Sequence, residues 1–370
     1  MFDIEKYLKQ LETLVNIDCG SYNPEGIWKV ANLLIDWYKE IGWYVKIHET
    51  NEASGPVLEI SNHPDCEYYD AMFIGHMDTV FPDGTVKQRP FRREGNFCYG
   101  PGTEDMKNGD LAMLHIAENL PEEVSQRLNI CMCYNSDEEI SSVYSQKYTK
   151  AIADKSNRLF VMESAQLDGG HVFQRKGRTV YEINFIGKAG HAGYMFVNEN
   201  ASAINELGNF IYHISKLLDK DKDTTLNIGL VNGGTAVNVV ADKAYVKLES
   251  RYKLLSEKER IEKAVEGYEC ENPDVKMEII YKDPTDPWNK TPEGNEFIAW
   301  MSKIAEKENI EFIEKDRGGL SDANHLSENC KIILDGMGPR GRYPHSVDEF
   351  MTIDSVEPCV RLFVKTLSEL

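Results

Sequence analysis

Apolar and polar residues follow two periods along this chain, one typical of helices and one typical of buried strands. The opening stretch MFDIEKYLKQLETLVNI places apolar side chains at helical spacing and predicts an amphipathic helix. A second helical stretch, GIWKVANLLIDWYKEIGW, precedes the strand-like YVKIHE. Later apolar runs predict buried strands: AMFIG (71–75), LNICMCY (128–134), RLFVM (158–162) and KIILDG (331–336). Strands that alternate with helices predict an α/β sheet flanked by helices.

The pattern changes between residues 179 and 282. In order, this part reads as a strand (TVYEINFIG), a helix (ASAINELGNFIYHISKLL), two strands (TLNIGLVNGG and AYVKLESRYK), a helix (SEKERIEKAVEGY) and a strand (DVKMEIIYK). The order βαββαβ is that of the ferredoxin-like unit. The segment DPTDPWNKTP (283–292) is typical of a linker. We therefore predict that residues 178–289 form a domain inserted between residues 1–177 and 290–370 of a first domain.

Length and charge narrow the classes of function. A chain of 370 residues exceeds the size at which a single core usually stops growing, so two domains are expected. With 61 acidic and 41 basic residues the formal net charge is −20. This charge argues against binding to nucleic acid or to an anionic membrane surface. The N-terminus is neither a signal peptide nor a membrane span, because charges interrupt its apolar residues.

The eight cysteines are scattered, and the only close pair is Cys131 and Cys133 within LNICMCY. In a strand these two side chains would point the same way, which suits packing better than a zinc site. We therefore expect reduced thiols and a cytoplasmic protein.

Polar side chains that can bind metals follow every predicted strand of the first domain. In chain order these are His76 and Asp78, Glu138 and Glu139, Glu163, and His345. The carboxyl ends of strands in an open α/β sheet border one crevice, so these side chains should converge. Between them, the glycine-rich loop YGPGTEDMKNGD holds Asp105 just before a predicted helix.

Imidazole nitrogen and carboxylate oxygen are ligands of zinc, cobalt or manganese, and a set without cysteine is typical of a catalytic site. Two histidines and three carboxylates are more ligands than one catalytic metal ion requires. They predict a pair of metal ions bridged by a carboxylate and a water. His76 would bind metal, and Asp78 would hydrogen-bond its other ring nitrogen. Each motif taken singly has a simpler interpretation. H-x-D is usually a surface turn, and a Glu-Glu pair is usually the solvated start of a helix. Glu163 alone could cap a helix. Their shared position at strand ends favours the metal site.

These motifs resemble the dinuclear zinc exopeptidase family of glutamate carboxypeptidase, acetylornithine deacetylase and succinyl-diaminopimelate desuccinylase. The resemblance runs from LVNIDCGSYNPEG to GPRGRYPHSVDEFM and is greatest to the glutamate carboxypeptidase branch. It implies a zinc-exopeptidase-like mixed sheet flanked by helices, with an inserted ferredoxin-like lid or dimerisation domain. It also implies two Zn²⁺ ions, with Co²⁺ or Mn²⁺ as alternatives, and a homodimer formed through the inserted domain.

The resemblance also implies a role for each matching residue of the first domain. Asp105 would bridge the two metals, with a cis peptide bond to Met106. The remaining ligands would be His76 and Glu163 for one metal and Glu139 and His345 for the other. Glu138 would be the general base, and Asp78 would hold His76.

In the inserted domain the resemblance implies three further site residues. His191 in GKAGHAG would reach the active site of the partner subunit. Asn238 in GGTAVNVV and Arg251 in LESRY would contact the substrate. The planar guanidinium of Arg251 can bond both oxygens of a substrate carboxylate at once. The chain departs from the usual pattern at Asn108, Ser141, Ser321 and the segment ESRY. None of these departures removes a ligand or the base, so they bear on substrate choice.

The first functional hypothesis is metal-dependent hydrolysis of an amide or peptide bond next to a carboxylate-bearing residue, with Glu138 activating the water. An N-acyl amino acid deacylase would use the same metals and base, so both small peptides and N-acyl amino acids remain candidate substrates. A non-catalytic metal-binding protein would have lost a ligand or the base, and every such position is filled. A nucleotide-binding oxidoreductase would need the motif G-x-G-x-x-G. In GPGTED, two glycines are followed by acidic residues, which would repel a phosphate group.

Overall fold

A computed structural model describes residues 2–51, 53–197 and 199–370. The chain forms two compact units. The first comprises the residues up to Gln174, Lys290–Asp316 and Ser321–Leu370, and the second comprises Arg175–Asn289 and Arg317–Leu320. The catalytic and lid roles and the domain boundaries that the sequence suggests stay predictions.

The helices of the described residues are α1 (Ile4–Val15), α2 (Pro24–Glu40), α3 (Thr85–Gln88), α4 (Asn108–Asn119), α5 (Glu122–Arg127), α6 (Gln146–Ala153), α7 (Ala203–Ile214), α8 (Leu255–Glu266), α9 (Pro292–Lys307), α10 (Asp322–His325) and α11 (Val356–Glu369). Among the described residues, no helix combines the length and the apolar character needed to span a bilayer.

The strands are β1 (Tyr44–His48), β2 (Val57–Ser61), β3 (Ala71–His76), β4 (Arg92–Glu94), β5 (Phe97–Tyr99), β6 (Ile130–Asn135), β7 (Leu159–Val161), β8 (Ser164–Ala165), β9 (Gly170–Arg175), β10 (Gly177–Ile186), β11 (Gly190–His191), β12 (Thr225–Gly233), β13 (Val239–Val240), β14 (Lys243–Tyr252), β15 (Lys276–Thr285), β16 (Ile313–Arg317), β17 (Ile333–Leu334), β18 (Gly338–Arg342) and β19 (Phe350–Thr352).

The first unit is built on a six-stranded mixed sheet in the order β1-β2-β6-β3-β7-β17. The four apolar runs predicted as strands are its neighbours β6, β3, β7 and β17, and they are parallel. β1 and β2 add an antiparallel hairpin at one edge. Every residue of β3 and β6 is buried, as expected for parallel strands with helices on both faces. The predicted α/β fold is confirmed.

Helices of the first unit cover this sheet with apolar faces. α1 buries Tyr7, Leu8, Leu11, Leu14 and Val15, the spacing of one helical face. Asp3 begins this helix, because its side chain accepts a hydrogen bond from the Lys6 backbone at 3.0 Å. α4 is buried over most of its length and packs against α11. A smaller five-stranded sheet, β4-β5-β19-β18-β8, completes the unit.

The second unit has the predicted order βαββαβ, formed by β10, α7, β12, β14, α8 and β15. Its sheet is antiparallel in the order β12-β14-β10-β15. β10 alternates buried and partly exposed residues, so one face of the sheet carries a core. That core joins Tyr181 and Phe185 to Phe210 of α7 and Ile261 of α8. This arrangement is the ferredoxin-like one.

Candidate metal centre

Three parallel strands of the first unit end at one edge of the sheet, and the side chains that follow them meet there. β3 ends at His76, and β7 ends two residues before Glu163. β6 is followed by a short 3₁₀ turn that begins with Glu138 and Glu139. The carboxyl edge of the sheet therefore gathers the predicted ligands, as the topology of such sheets dictates.

Asp105 lies between the two histidines. Its Oδ1 is 3.1 Å from Nε2 of His76, and its Oδ2 is 3.0 Å from Nε2 of His345. Glu163 Oε1 is 3.5 Å from Nε2 of His76, and Glu139 Oε2 is 3.1 Å from Nε2 of His345. The structure brings these five side chains together as two groups that share Asp105.

Asp78 links His76 to the backbone of the glutamate turn. Nδ1 of His76 is 3.0 Å from the carbonyl oxygen of Asp78 and 3.4 Å from its carboxylate Oδ1. The same carboxylate accepts the backbone N–H groups of Glu138 and Glu139, each at 3.2 Å. It also accepts the hydroxyl of Ser21 at 2.6 Å. Asp78 thus fixes the histidine ring mainly through its carbonyl and the two glutamates through its carboxylate.

The loop that carries Asp105 is held by a buried glutamate. Glu349 accepts backbone N–H groups of Gly102 at 3.1 Å, Glu104 at 2.8 Å and Asp105 at 3.0 Å. The peptide bond between Asp105 and Met106 is cis, as the family resemblance implies. Three hydrogen bonds to one carboxylate define where the loop lies.

Gly109 lets this loop approach the end of β7. A Cβ atom at Gly109 would lie 2.0 Å from the carbonyl oxygen of Met162, a distance that no side chain tolerates. The first turn of α4 can therefore pack directly on the strand end. This close approach brings Asp105 and Glu163 to the same site.

Negative charge is concentrated at the site. Burial raises the pKa of Glu138 well above its usual value; nearby His76 opposes this effect, and the carboxylate of Glu163 adds to it. Burial likewise raises the pKa of Glu139 to about 7, although its hydrogen bond to His345 acts in the opposite direction. Each raised pKa reflects a carboxylate whose negative charge is poorly compensated by the protein alone.

The histidines respond to the same charge. Hydrogen bonds to Asp105 and Glu139 raise the pKa of His345 to about 11. Burial lowers the pKa of His76, but hydrogen bonds to Asp105, Asp78 and Glu163 outweigh burial and raise it well above its usual value. The site therefore favours positive charge at both imidazole positions.

The donor set fits divalent cations. Oε1 of Glu139 is buried and has no hydrogen-bond partner among the described residues, which is costly for a carboxylate oxygen. His76, Asp105 and Glu139 each offer a ligand atom within 4.8 Å of the others, and so do His76, Glu138 and Glu163. Neutral imidazole and carboxylate are ligands of Zn²⁺ and related ions, whose charge would offset that of the carboxylates.

The second unit holds the other three predicted site residues, and two of them lie together. His191 ends β11, which pairs with β13, and the backbone N–H of Ala192 donates to the carbonyl of Asn238 at 3.0 Å. Nδ1 of His191 accepts the backbone N–H of Gly193 at 3.1 Å, and the side chain is exposed. This hydrogen bond leaves Nε2 as the ring atom available to a ligand.

Arg251 of β14 is partnered within the second unit. Its Nε and Nη2 donate to the carboxylate oxygens of Glu249 at 3.0 and 3.3 Å, and its Nη1 donates to the carbonyl of Gly318 at 2.7 Å. A substrate carboxylate would have to share the guanidinium with Glu249 or replace it.

Residues 72–369 match the sequence profile of Peptidase family M20/M25/M40. The chain belongs to this family. Its members depend on metals and include peptidases and amidohydrolases, so the protein is a hydrolase of a metal-dependent family.

The similar proteins include both activities that the sequence leaves open. Carboxypeptidase G2 of Pseudomonas sp. (strain RS-16) is 25% identical over 347 residues, which cover 92% of this chain and 83% of that protein. Acetylornithine deacetylase of Vibrio atlanticus is 22% identical, and the match covers 98% of this chain and 98% of that protein. A tripeptidase of Staphylococcus aureus Mu50 has the same fold, with a TM-score of 0.80 and 20% identity over 100% of this chain and 99% of that one.

Sequence reasoning missed three residues that support the site. They are Glu349, Ser21 and Asp322. Asp322 accepts the side-chain amide of Asn135 at 2.6 Å and the hydroxyl of Ser142 at 3.1 Å, and burial raises its pKa to about 7. All three lie within the part of the chain that resembles the family. Glu349 accepts backbone N–H groups, Asp322 accepts neutral side-chain donors, and Ser21 donates to the carboxylate of Asp78. Contacts of these kinds leave no pattern in the sequence.

Proposed function

We propose that this M20-family hydrolase is a glutamate carboxypeptidase-like enzyme, which cleaves an amide or peptide bond next to a carboxylate-bearing residue. The observation that carries the proposal is the position of Asp105 between His76 and His345, with Glu138 in the adjoining turn. A shared carboxylate flanked by two imidazoles is the arrangement that a two-metal hydrolytic site requires.

In this proposal two Zn²⁺ ions, with Co²⁺ or Mn²⁺ as alternatives, would be held by Asp105, His76, Glu163, Glu139 and His345. Bound ions would lower the pKa of a water and polarise the amide carbonyl. Glu138 would accept a proton from the attacking water and later donate it to the leaving amine. Asp78 keeps the base in place, because its carboxylate accepts the Glu138 backbone N–H.

The substrate carboxylate is assigned to Arg251, with Asn238 as a second contact. Arg251 already holds a carboxylate, that of Glu249, through two of its nitrogens. This geometry supports an exchange of Glu249 for a substrate carboxylate at the same guanidinium. A deacylase of the acetylornithine or succinyl-diaminopimelate type remains the second candidate, because such relatives match 98% and 81% of this chain.

We also propose that the protein is a homodimer formed through the second unit, in which His191 serves the partner's active site. β12 is an edge strand with exposed Leu230 and Val231, and Tyr212 of α7 is exposed as well. An apolar edge strand is a template for pairing, and a second copy would cover it in a two-fold arrangement. A cytoplasmic location completes the proposal, in accord with Cys131 and Cys133 being fully buried packing residues.

The test compares turnover of an N-acyl glutamate dipeptide and of an N-acetyl basic amino acid by the zinc-loaded protein, with a chelated sample as control. Faster turnover of the first substrate, with that turnover lost on chelation, supports the carboxypeptidase. Preference for the second would reassign the protein to the deacylases.

The role of Glu138 is tested by Glu138→Gln, which keeps the size of the side chain but cannot accept the proton. We expect zinc content to be unchanged and kcat to fall by roughly 10²–10⁴-fold. Glu123→Gln, at an exposed position of α5, serves as the matched control. A Glu138→Gln enzyme with full activity would contradict the assignment.

A further inference from the structure

The turn that carries Glu138 and Glu139 ends in left-handed backbone without a glycine. Ser141 has a φ of 70° and Ser142 a φ of 53°. The Cβ atom makes this region unfavourable, so glycine is the residue that usually occupies it. Two consecutive serines in this conformation are strained, and contacts with the surrounding structure must hold them there.

Backbone hydrogen bonds within the turn close it but do not fix its position. The backbone N–H of Ser141 donates to the carbonyl of Glu138 at 2.7 Å, and that of Ser142 donates to the carbonyl of Asp137 at 2.8 Å. The carboxylate of Asp137 accepts the backbone N–H of Tyr144 at 2.6 Å. These bonds join residues of one segment, so all of them would survive if the segment shifted as a unit.

Asp322 joins both ends of this segment to one carboxylate. Its Oδ2 accepts the side-chain amide of Asn135, the last residue of β6, at 2.6 Å. Its Oδ1 accepts the hydroxyl of Ser142 at 3.1 Å. All three side chains are buried, so water does not compete for these bonds. The two bonds, which we call the Asp322 clamp, enclose residues 135–142 and hence Glu138.

The backbone of Asp322 is itself fixed. It begins α10, and Oγ of Ser321 accepts the backbone N–H of Ala323 at 3.1 Å. The same hydroxyl donates to Oδ2 of Asp335 at 2.6 Å, and Asp335 directly follows β17 of the six-stranded sheet. The clamp therefore refers the turn to the sheet.

We propose that Asp322 is a positioning residue for Glu138, which acts through Asn135 and Ser142, and that the left-handed serines make this clamp necessary. The inference rests on the proposed function, in which Glu138 is the base. Without the clamp the strained turn would relax and carry Glu138 away from the attacking water. A misplacement of about 1 Å can lower a rate by about 10²-fold.

The experiment measures kcat and KM of the zinc-loaded protein for whichever of the two test substrates it hydrolyses. The pH is kept above 7, because burial raises the pKa of Asp322 to about 7 and its carboxylate must be ionised. Asp322→Asn keeps the size but turns an NH₂ group toward a donor. We expect kcat to fall by roughly 10–100-fold with KM changed by less than about twofold.

Two further variants define the effect of Asp322→Asn. Ser142→Ala removes one bond of the clamp and should lower kcat less, in the same direction. Asp70→Asn is the matched control, because Asp70 accepts the backbone N–H of Asn129 at 2.9 Å at the opposite end of β3. It should leave kcat unchanged. An Asp322→Asn enzyme with the kcat of the wild type would overturn the inference.

Ser141→Gly tests whether strain is the reason for the clamp. Glycine adopts the left-handed region readily, so the turn should depend less on Asp322. In a Ser141→Gly background, we expect Asp322→Asn to lower kcat by at most about threefold. Asn309→Gly relieves a φ of 55° at an exposed position after α9 and should leave the full loss. A loss that Ser141→Gly does not reduce would also overturn the inference.

Hydrogen exchange of the zinc-loaded protein separates this failure from that of the proposed function. The backbone amides of residues 138–142 should exchange about tenfold faster in the Asp322→Asn protein, and Ser141→Gly should reverse the change. This result in a protein that hydrolyses neither substrate would support the clamp and reject the proposed activities. Hydrolysis by a protein whose turn exchanges at the same rate with and without Asp322→Asn would keep the proposed function and overturn the inference.

Discussion

At the scale of single residues, Glu349 holds the backbone of Asp105, the proposed bridging ligand. Its carboxylate accepts three N–H groups from the loop of Gly102, Glu104 and Asp105. Glu349→Gln keeps the size but replaces one acceptor oxygen with an NH₂ group that faces N–H donors. We expect zinc affinity, measured by competition with a chelating dye, to fall by roughly 10–100-fold, as for other groups that orient ligands.

Asp348→Asn is the matched control for this change, because Asp348 is the exposed neighbour and its substitution removes one negative charge too. If both variants lost the same affinity, the effect would be one of net charge, and the positioning role of Glu349 would be rejected. Thermal unfolding of the metal-free variants shows whether Glu349→Gln also destabilises the loop.

Several of the proposed ligands could be found from the sequence, because they are polar residues that follow an apolar run at once or within a few residues. His76 follows AMFIG, and Glu138 and Glu139 follow LNICMCY after three residues. Glu349 and Ser21 could not be found in this way. Their roles depend on which distant atoms they meet, and those contacts exist only after the chain has folded.

At the scale of elements, the long strands were predictable and the short ones were not. The ten-residue strands β10 and β14 alternate in burial, and β3 and β6 are continuous apolar runs. The five-stranded sheet consists of strands of two to five residues, too short to show a period. KIILDG likewise keeps only Ile333 and Leu334 as β17, since a glycine with positive φ follows at Gly336.

Glu59 anchors the hairpin of β1 and β2 to the rest of the sheet. Its carboxylate accepts hydrogen bonds from His48 at 2.7 Å and Tyr69 at 2.7 Å, and Lys46 is 3.1 Å away. Burial alone would raise its pKa, but these partners lower it to about 2. Because the folded pKa lies below the usual value, the carboxylate stabilises the fold above about pH 4.5, and this contribution is lost as the pH falls toward 2.

Glu59→Gln should therefore lower the free energy of unfolding by about 1–2 kcal/mol at pH 7. This value is kept small because Lys46 is exposed and solvent screens its charge. Urea denaturation at pH 7 and at pH 3.5 should show the difference from the wild type shrinking at the lower pH. Glu49→Gln, an exposed glutamate beside the same hairpin, should show no difference at either pH. A Glu59→Gln deficit independent of pH would mean that packing, not charge, is lost.

At the scale of the whole molecule, the dimer proposal makes catalysis depend on two chains. If His191 serves the partner's site, a site needs Glu138 from one chain and His191 from the other. A chain with His191→Ala and a chain with Glu138→Gln should each be nearly inactive alone. Random exchange makes half of the dimers mixed, and each mixed dimer contains one complete site, so about a quarter of the wild-type activity should return.

Differently tagged chains, unfolded and refolded together, allow the mixed dimers to be isolated before kcat is measured. Mixing each variant only with itself gives the baseline. Activity restored in the mixed dimers would show that His191 acts across the interface, because no single chain in them has both residues intact. Isolated mixed dimers without activity would instead place His191 in the site of its own chain, and a protein that stays monomeric at working concentration would remove the interface itself.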